Sequence, residues 1–137
     1  MPTEAQLLLF KQRGRRAPRK LDKIDPSELQ LHISLVARLR LLCRPGIIFW
    51  HTANGELRDG RDGAKLKAMG VRPGVSDLIF VFPKAAPLLF LELKARGKGL
   101  TDNQKIFRDD VRAAGHIFEM ADTIDEAVRI LIKHNVL

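Results

Sequence analysis

Val75–Lys94 reads VSDLIFVFPKAAPLLFLELK. Its two apolar runs, 75–81 and 88–94, are rich in strand formers, and Pro83 and Pro87 punctuate the stretch between them, so the segment is expected to fold as an antiparallel hairpin. If Val81 pairs with Leu88, the register sets Asp77 opposite Glu92, because both pairs of numbers sum to 169. Opposed residues hold their Cβ atoms roughly 5 Å apart. Two carboxylates that close repel unless a positive charge lies between them, and a hard divalent cation with oxygen ligands meets that need. Lys94, two residues past Glu92, falls on the same side of its strand. A cation with an ammonium beside it suits an incoming phosphate. A slip of one residue would turn one carboxylate to the opposite face. Asp77 would then merely open a strand, with Glu92 and Lys94 a surface ion pair, and spacing alone leaves both arrangements open.

On either side of the hairpin the chain divides into clear elements. Pro26-Ser27-Glu28 opens a helical stretch in which Leu31, Leu35, Leu39 and Leu42 recur at helical spacing, with Ser27 as N-cap, and the stretch ends before Pro45-Gly46. Residues 47–52 are expected to form a first strand and 53–63 a polar, glycine-containing loop. Residues 64–69 read as a short helical turn closed by Gly70. A second helix runs from Thr101, its cap, to Ala114, with Gly115 as stop. His116–Met120 is a short strand, and Thr123–His134 a last amphipathic helix on Ile124, Val128, Leu131 and Ile132. The order α-β-β-β-α-β-α predicts an α/β fold with a mixed sheet flanked by helices.

At 137 residues the chain is expected to be one domain with a real core, and its hydrophobic content of 45% marks it as globular. No apolar run approaches the ~20 residues of a membrane span, and the start MPTEAQLLLFKQRGRR has no cleavage-like site behind its short apolar patch. Cys43 is the only cysteine, which excludes an internal disulfide and a multi-cysteine metal site. Its leucine-rich surroundings predict a buried, inert thiol, and a cytoplasmic protein is the simplest expectation. The net charge is +8. Residues 1–23 hold Lys11, Arg13, Arg15, Arg16, Arg19, Lys20 and Lys23 against Glu4 and Asp22, so they contribute +5 and the remaining 114 residues +3. The chain is therefore expected to be a flexible basic arm, 1–23, and a folded domain, 24–137. Such an arm tracks a nucleic-acid backbone or serves as a solubilising or address segment. No aromatic residue lies in 11–23, so base stacking by the arm is not supported.

Three sequence blocks, Gly74-Val75-Ser76-Asp77, Glu92-Leu93-Lys94 and Leu100-Thr101-Asp102-Asn103-Gln104-Lys105, together resemble the VRR-NUC family. That family is a branch of the PD-(D/E)xK, or restriction-endonuclease-like, nuclease superfamily. The resemblance takes in Ser27-Glu28-Leu29-Gln30, Trp50-His51-Thr52-Ala53-Asn54-Gly55 and the stretch from Ala64 through Val71-Arg72-Pro73, and it covers roughly residues 27–134. It implies a three-layer restriction-endonuclease-like core, with Asp77 and Glu92 as metal-binding carboxylates and Lys94 as catalytic lysine. Glu28 matches an acidic residue at the head of the first helix, and Gln104 a glutamine on the helix after the lysine. Two positions depart from the pattern. Ser76 stands where the family usually has proline, and Arg96-Gly97 where Pro-Gly is common.

Each role has a physical basis. Phosphodiester hydrolysis requires a nucleophilic water, neutralisation of charge on the phosphoryl oxygens and help for the departing alkoxide. A magnesium or manganese ion held by Asp77, Glu92 and the Leu93 carbonyl, with Glu28 completing the shell, would act as Lewis acid. Lys94 would orient water or stabilise transition-state charge, and Gln104 would brace Lys94 or a phosphate. Glu28 alternatively favours the helix dipole, and Gln104 alternatively is a solvated helix residue. Lys65, Lys67, Arg72, Arg96 and Lys98 are candidate phosphate contacts on DNA, and Asn54 is either a contact or a turn residue. His32, His51, His116 and His134 show no metal-ligand spacing to one another; His51 alone is placed near the substrate, with a structural role preferred.

These readings predict a metal-dependent DNA endonuclease. The resemblance implies that stand-alone members act as homodimers on branched or flapped DNA in replication, repair or phage biology, and a two-fold dimer fits a Holliday-junction resolvase. A bacterial or phage-infected cell is the expected setting, with the nucleoid as a further one. The alternative is a nucleic-acid-binding module that kept the fold and lost turnover.

Overall fold

The structure, a computed structural model, describes residues 26–53 and 63–137. Helix α1 (Pro26–Leu42) is followed by β1 (Ile48–His51), the six-residue α2 (Gly63–Ala68), β2 (Leu78–Val81), β3 (Leu89–Leu93), α3 (Asp102–Ala113), β4 (Ile117–Ala121) and α4 (Ile124–Lys133). The sheet order is β1-β2-β3-β4. Strands β1, β2 and β3 pair antiparallel in turn, while β4 lies parallel to β3 and is reached through the α3 crossover. This is the mixed, helix-flanked sheet of the expected α/β class.

Of the two arrangements that spacing left open, the hairpin takes the register in which paired residue numbers sum to 169. Leu78 opposes Leu91, Ile79 opposes Phe90 and Phe80 opposes Leu89, so the next pair outward is Asp77 with Glu92. Alternation along β3 then sorts the side chains. Leu89, Leu91 and Leu93 enter the larger core with Leu31, Leu35 and Leu39 of α1 and Ala127 and Leu131 of α4. Phe90 faces the other way, into a smaller cluster with Phe107 and Val111 of α3 and Phe118 of β4. The domain thus has three layers, α1 and α4, the sheet, and α3, and Glu92 and Lys94 belong to the α3 side.

Several local expectations are corrected. Strand β2 begins at Leu78, not Val75. The Asp77 carbonyl accepts the Thr52 N–H at 2.9 Å, which binds the segment before β2 to the chain leaving β1. Ser27 lies inside α1, which starts at Pro26; a proline there loses nothing, since first-turn N–H groups have no intrahelical partner. Leu42 is 59% exposed, because Cys43 takes the inward position at the end of α1. Ile132 is 55% exposed. At about 100° per residue it lies some 80° round the helix from Ile124, and Ala127 and Leu131 fill the stripe in its place. Cys43 is partly rather than fully buried, and that burial raises its thiol pKa, which favours the protonated form.

Candidate active site

Glu92 and Lys94 sit at the end of β3 and just beyond it, 2% and 8% exposed, with Lys94 Nζ 3.1 Å from Glu92 Oε1. They form a buried pair, which excludes the surface arrangement left open by the spacing. Three further segments converge on them. From the lead into β2, Asp77 Oδ2 accepts the Leu93 N–H at 2.8 Å. From α1, Glu28 Oε2 accepts the Ala95 N–H at 3.2 Å. From α3, Gln104 Nε2 donates to Glu92 Oε1 at 2.6 Å. The Gln104 amide is held from behind, because its Oε1 accepts the Thr101 N–H at 2.9 Å as one half of a capping box. Asp77, Glu92, Lys94, Glu28 and Gln104 are therefore brought together, and Leu93 lies between them in the chain.

Gly74 sets the distance between α3 and the strands. Its φ is +80°, and a Cβ there would lie 2.5 Å from the Asn103 carbonyl carbon and oxygen and 2.8 Å from the Gln104 nitrogen. Only glycine combines that backbone conformation with so close an approach. Ser76, two residues on, is fully buried, and its hydroxyl makes no hydrogen bond among the described residues.

The electrostatics of the cluster are unbalanced. The Glu92 carboxyl is pushed up to about 8, first by burial, then by the charge on Asp77 and, more weakly, by Glu28. Lys94 pulls it down through its charge and its hydrogen bond. One ammonium thus faces three carboxyl groups. Taking charge out of water costs several kcal/mol per ion (order of magnitude) unless it is compensated, and a divalent cation among these oxygens would supply the compensation. The donor set therefore fits a hard cation.

A second group escapes sequence spacing. His51 ends β1 opposite Leu78, and its Nδ1 lies 2.8 Å from the Asp77 carbonyl oxygen. His32, one turn along α1 from Glu28, sets its ring perpendicular to that of His51 with centroids 4.4 Å apart. One ligand atom from each of His32, His51 and Asp77 lies within 4.8 Å of the others, so this group too could hold a metal ion. The two histidines lie nineteen positions apart in the chain; the packing of α1 on the sheet brings them together, and the pairing of β1 with β2 sets them beside Asp77. The signal available in sequence was the i, i+4 relation of Glu28 and His32, which puts both on one helix face.

Among the candidate phosphate contacts, Lys65 and Lys67 are exposed on α2. Arg72 ion-pairs with Asp110 and lies over the Phe107 ring, 5.2 Å from its centroid, which docks it on α3. Arg96 and Lys98 are exposed in a turn closed by the Lys98 N–H to Ala95 carbonyl bond at 3.0 Å and held by the Gly97 N–H to Asp122 Oδ2 at 3.1 Å. That backbone bond is the main reason the Asp122 carboxyl is held below its ordinary pKa. His116 Nδ1 accepts the Leu88 N–H, and His134 meets Glu119 at 2.9 Å, so both are structural. Asn54 and the basic arm lie outside the described residues.

Comparison with known proteins identifies the family and the fold. A model of the VRR-NUC domain matches residues 22–123. A solved structure titled "VRR_NUC domain protein" superposes with a TM-score of 0.65 at 20% identity, covering 83% of this chain and 91% of that one. A second, titled "VRR_NUC domain", gives 0.55 at 18% identity, covering 80% and 98%. No curated protein matches. Among the described residues no helix is long and apolar enough to cross a membrane. With its matched segment and the shared fold, the chain belongs to the VRR-NUC family of nuclease domains.

Proposed function

We propose that this protein is a metal-dependent DNA endonuclease that prefers branched, flapped or four-way DNA. The observation that carries the reading is Glu92, buried between Asp77 and Glu28 with Lys94 3.1 Å away, its carboxyl forced toward the protonated state until a cation arrives. Asp77 and Glu92, with the Leu93 carbonyl and Glu28, would hold Mg2+ or Mn2+. The cation, when bound, supplies Lewis-acid catalysis and lowers the pKa of its water. Lys94 presents a point charge where the phosphoryl oxygens gain negative charge. Gln104 keeps Glu92 aligned from the capped end of α3. Lys65, Lys67, Arg96 and Lys98 offer phosphate contacts that carry no sequence choice, Arg72 adds charge at the α3 edge, and the 1–23 arm and Asn54 complete the DNA-binding set.

A homodimer acting on a two-fold symmetric junction suits this chemistry. Edge strand β1 supports it, since Ile48 and Trp50 stand 63% and 45% exposed along an edge that no other strand among the described residues pairs with. The test incubates the protein with matched linear, flapped and four-way DNA in Mg2+, Mn2+ or EDTA. Cation-dependent cutting with the branched substrates cut fastest is expected. Tight binding without cutting in any cation would establish the binding module instead.

A further inference from the structure

His32 and His51 lie against the Asp77 side of the carboxylate cluster, and neither has a part in the chemistry proposed above. The Asp77 carbonyl is only an acceptor, so His51 Nδ1 at 2.8 Å must carry the proton, which leaves the lone pair on Nε2. Metal-binding imidazoles are commonly held in this way, by a bond from the other ring nitrogen to a backbone carbonyl. The His32 ring stands perpendicular at 4.4 Å, and one ligand atom of each histidine lies within 4.8 Å of an Asp77 carboxylate oxygen and of the other. Ligands bound at about 2.1 Å sit roughly 3 to 3.5 Å from one another. Small side-chain rotations therefore close the group around an ion.

We propose that His32, His51 and Asp77 form a two-nitrogen, one-oxygen site for a first-row transition dication of the Mn2+, Co2+ or Zn2+ class. Imidazole donors favour these ions over Mg2+, which prefers oxygen ligands. The site shares Asp77 with the cation centre described above but does not depend on DNA cleavage. Its consequence is selectivity, with transition dications held at Asp77 more tightly than Mg2+ when the two compete.

Pulsed electron paramagnetic resonance of the full chain loaded with Mn2+ reads nitrogen ligation directly, and calorimetric titration with Co2+ and with Mg2+ reads selectivity. The expected spectrum shows 14N modulation from imidazole, weakened in His32→Ala and in His51→Ala and retained in Glu92→Gln. The ratio of Co2+ to Mg2+ affinity should fall at least tenfold in His32→Ala, and His32→Gln provides a second variant if the alanine form does not fold by circular dichroism. Absence of 14N modulation in the parent protein, or an unchanged affinity ratio in the folded variant, overturns the assignment. Nitrogen ligation in a protein that cuts no DNA would leave this site standing and remove the nuclease reading. Cutting in Mg2+ without nitrogen ligation would do the reverse.

Discussion

Gln104 donates its Nε2 to Glu92 Oε1 at 2.6 Å while its Oε1 receives the Thr101 N–H at 2.9 Å. One side chain thus closes the capping box of α3 and fixes the carboxylate at the centre of the site. Gln104→Ala should cost about 1 kcal/mol of stability through the lost cap and slow DNA cutting about tenfold or more through the misplaced carboxylate. Gln104→Glu keeps the oxygen acceptor but sets a second carboxylate against Glu92, so it should slow cutting further while costing less of the cap. Chemical denaturation and single-turnover cleavage separate the two effects. Equal turnover in all three proteins would exclude the bracing role.

The raised Glu92 pKa predicts an unusual pH dependence in metal-free protein. The folded value is about 8 against an ordinary 4.5, so between these two pH values the folded state binds a proton that the unfolded chain has lost. The contribution is favourable below about 4.5, where both states are protonated, and is lost as pH rises toward 8. Thermal stability in EDTA should therefore fall across that window, and saturating Mg2+ or Mn2+ should restore it at the upper end. Glu92→Gln should flatten the fall. Metal binding near neutral pH should also release a proton, visible as a dependence of the calorimetric enthalpy on buffer ionisation. A flat profile in EDTA would show that Glu92 ionises normally.

Gly74→Ala meets two penalties at once. The φ of +80° disfavours a side chain, and the added carbon would lie 2.5 Å from α3 backbone at Asn103. A loss of roughly 2 to 4 kcal/mol is expected, near the upper range for single substitutions, together with weakened cutting because α3 carries Gln104. Urea denaturation measures the first quantity, and a loss below 1 kcal/mol would mean that the turn relaxes.

Ser76 offers a contrasting case. Its hydroxyl is buried with no hydrogen-bond partner among the described residues, so removing it leaves no acceptor or donor orphaned. Ser76→Ala should be neutral or stabilising by about 1 kcal/mol. Clear destabilisation would reveal a bond this hydroxyl makes in solution.

The sheet was legible where two constraints coincide. Apolar runs and the prolines at 83 and 87 marked the hairpin, while its register, and with it the meeting of Asp77 with Glu92, stayed open until the strand pairing fixed it; Thr101 and Gly115 marked both ends of α3. Helix faces were harder, because a leucine or isoleucine at a helix end fits the period whether or not a layer lies opposite it, as Leu42 and Ile132 show. Charge was harder still. Arg72 looked like a loop cation, yet Asp110 and Phe107, more than thirty residues away, hold it against α3. The His32–His51 pair was invisible for the same reason, since it is made by strand pairing and helix packing rather than by spacing.

The central claim, that Glu92 and Asp77 hold a cation against which Lys94 works, is tested most directly by the single-turnover rate of DNA cleavage at saturating Mn2+ for the parent protein, Glu92→Gln and Lys94→Ala, each shown to be folded. The expected result is measurable cutting by the parent protein and a loss of at least a hundredfold in both variants (order of magnitude). Cutting at an undiminished rate by folded Glu92→Gln would contradict it.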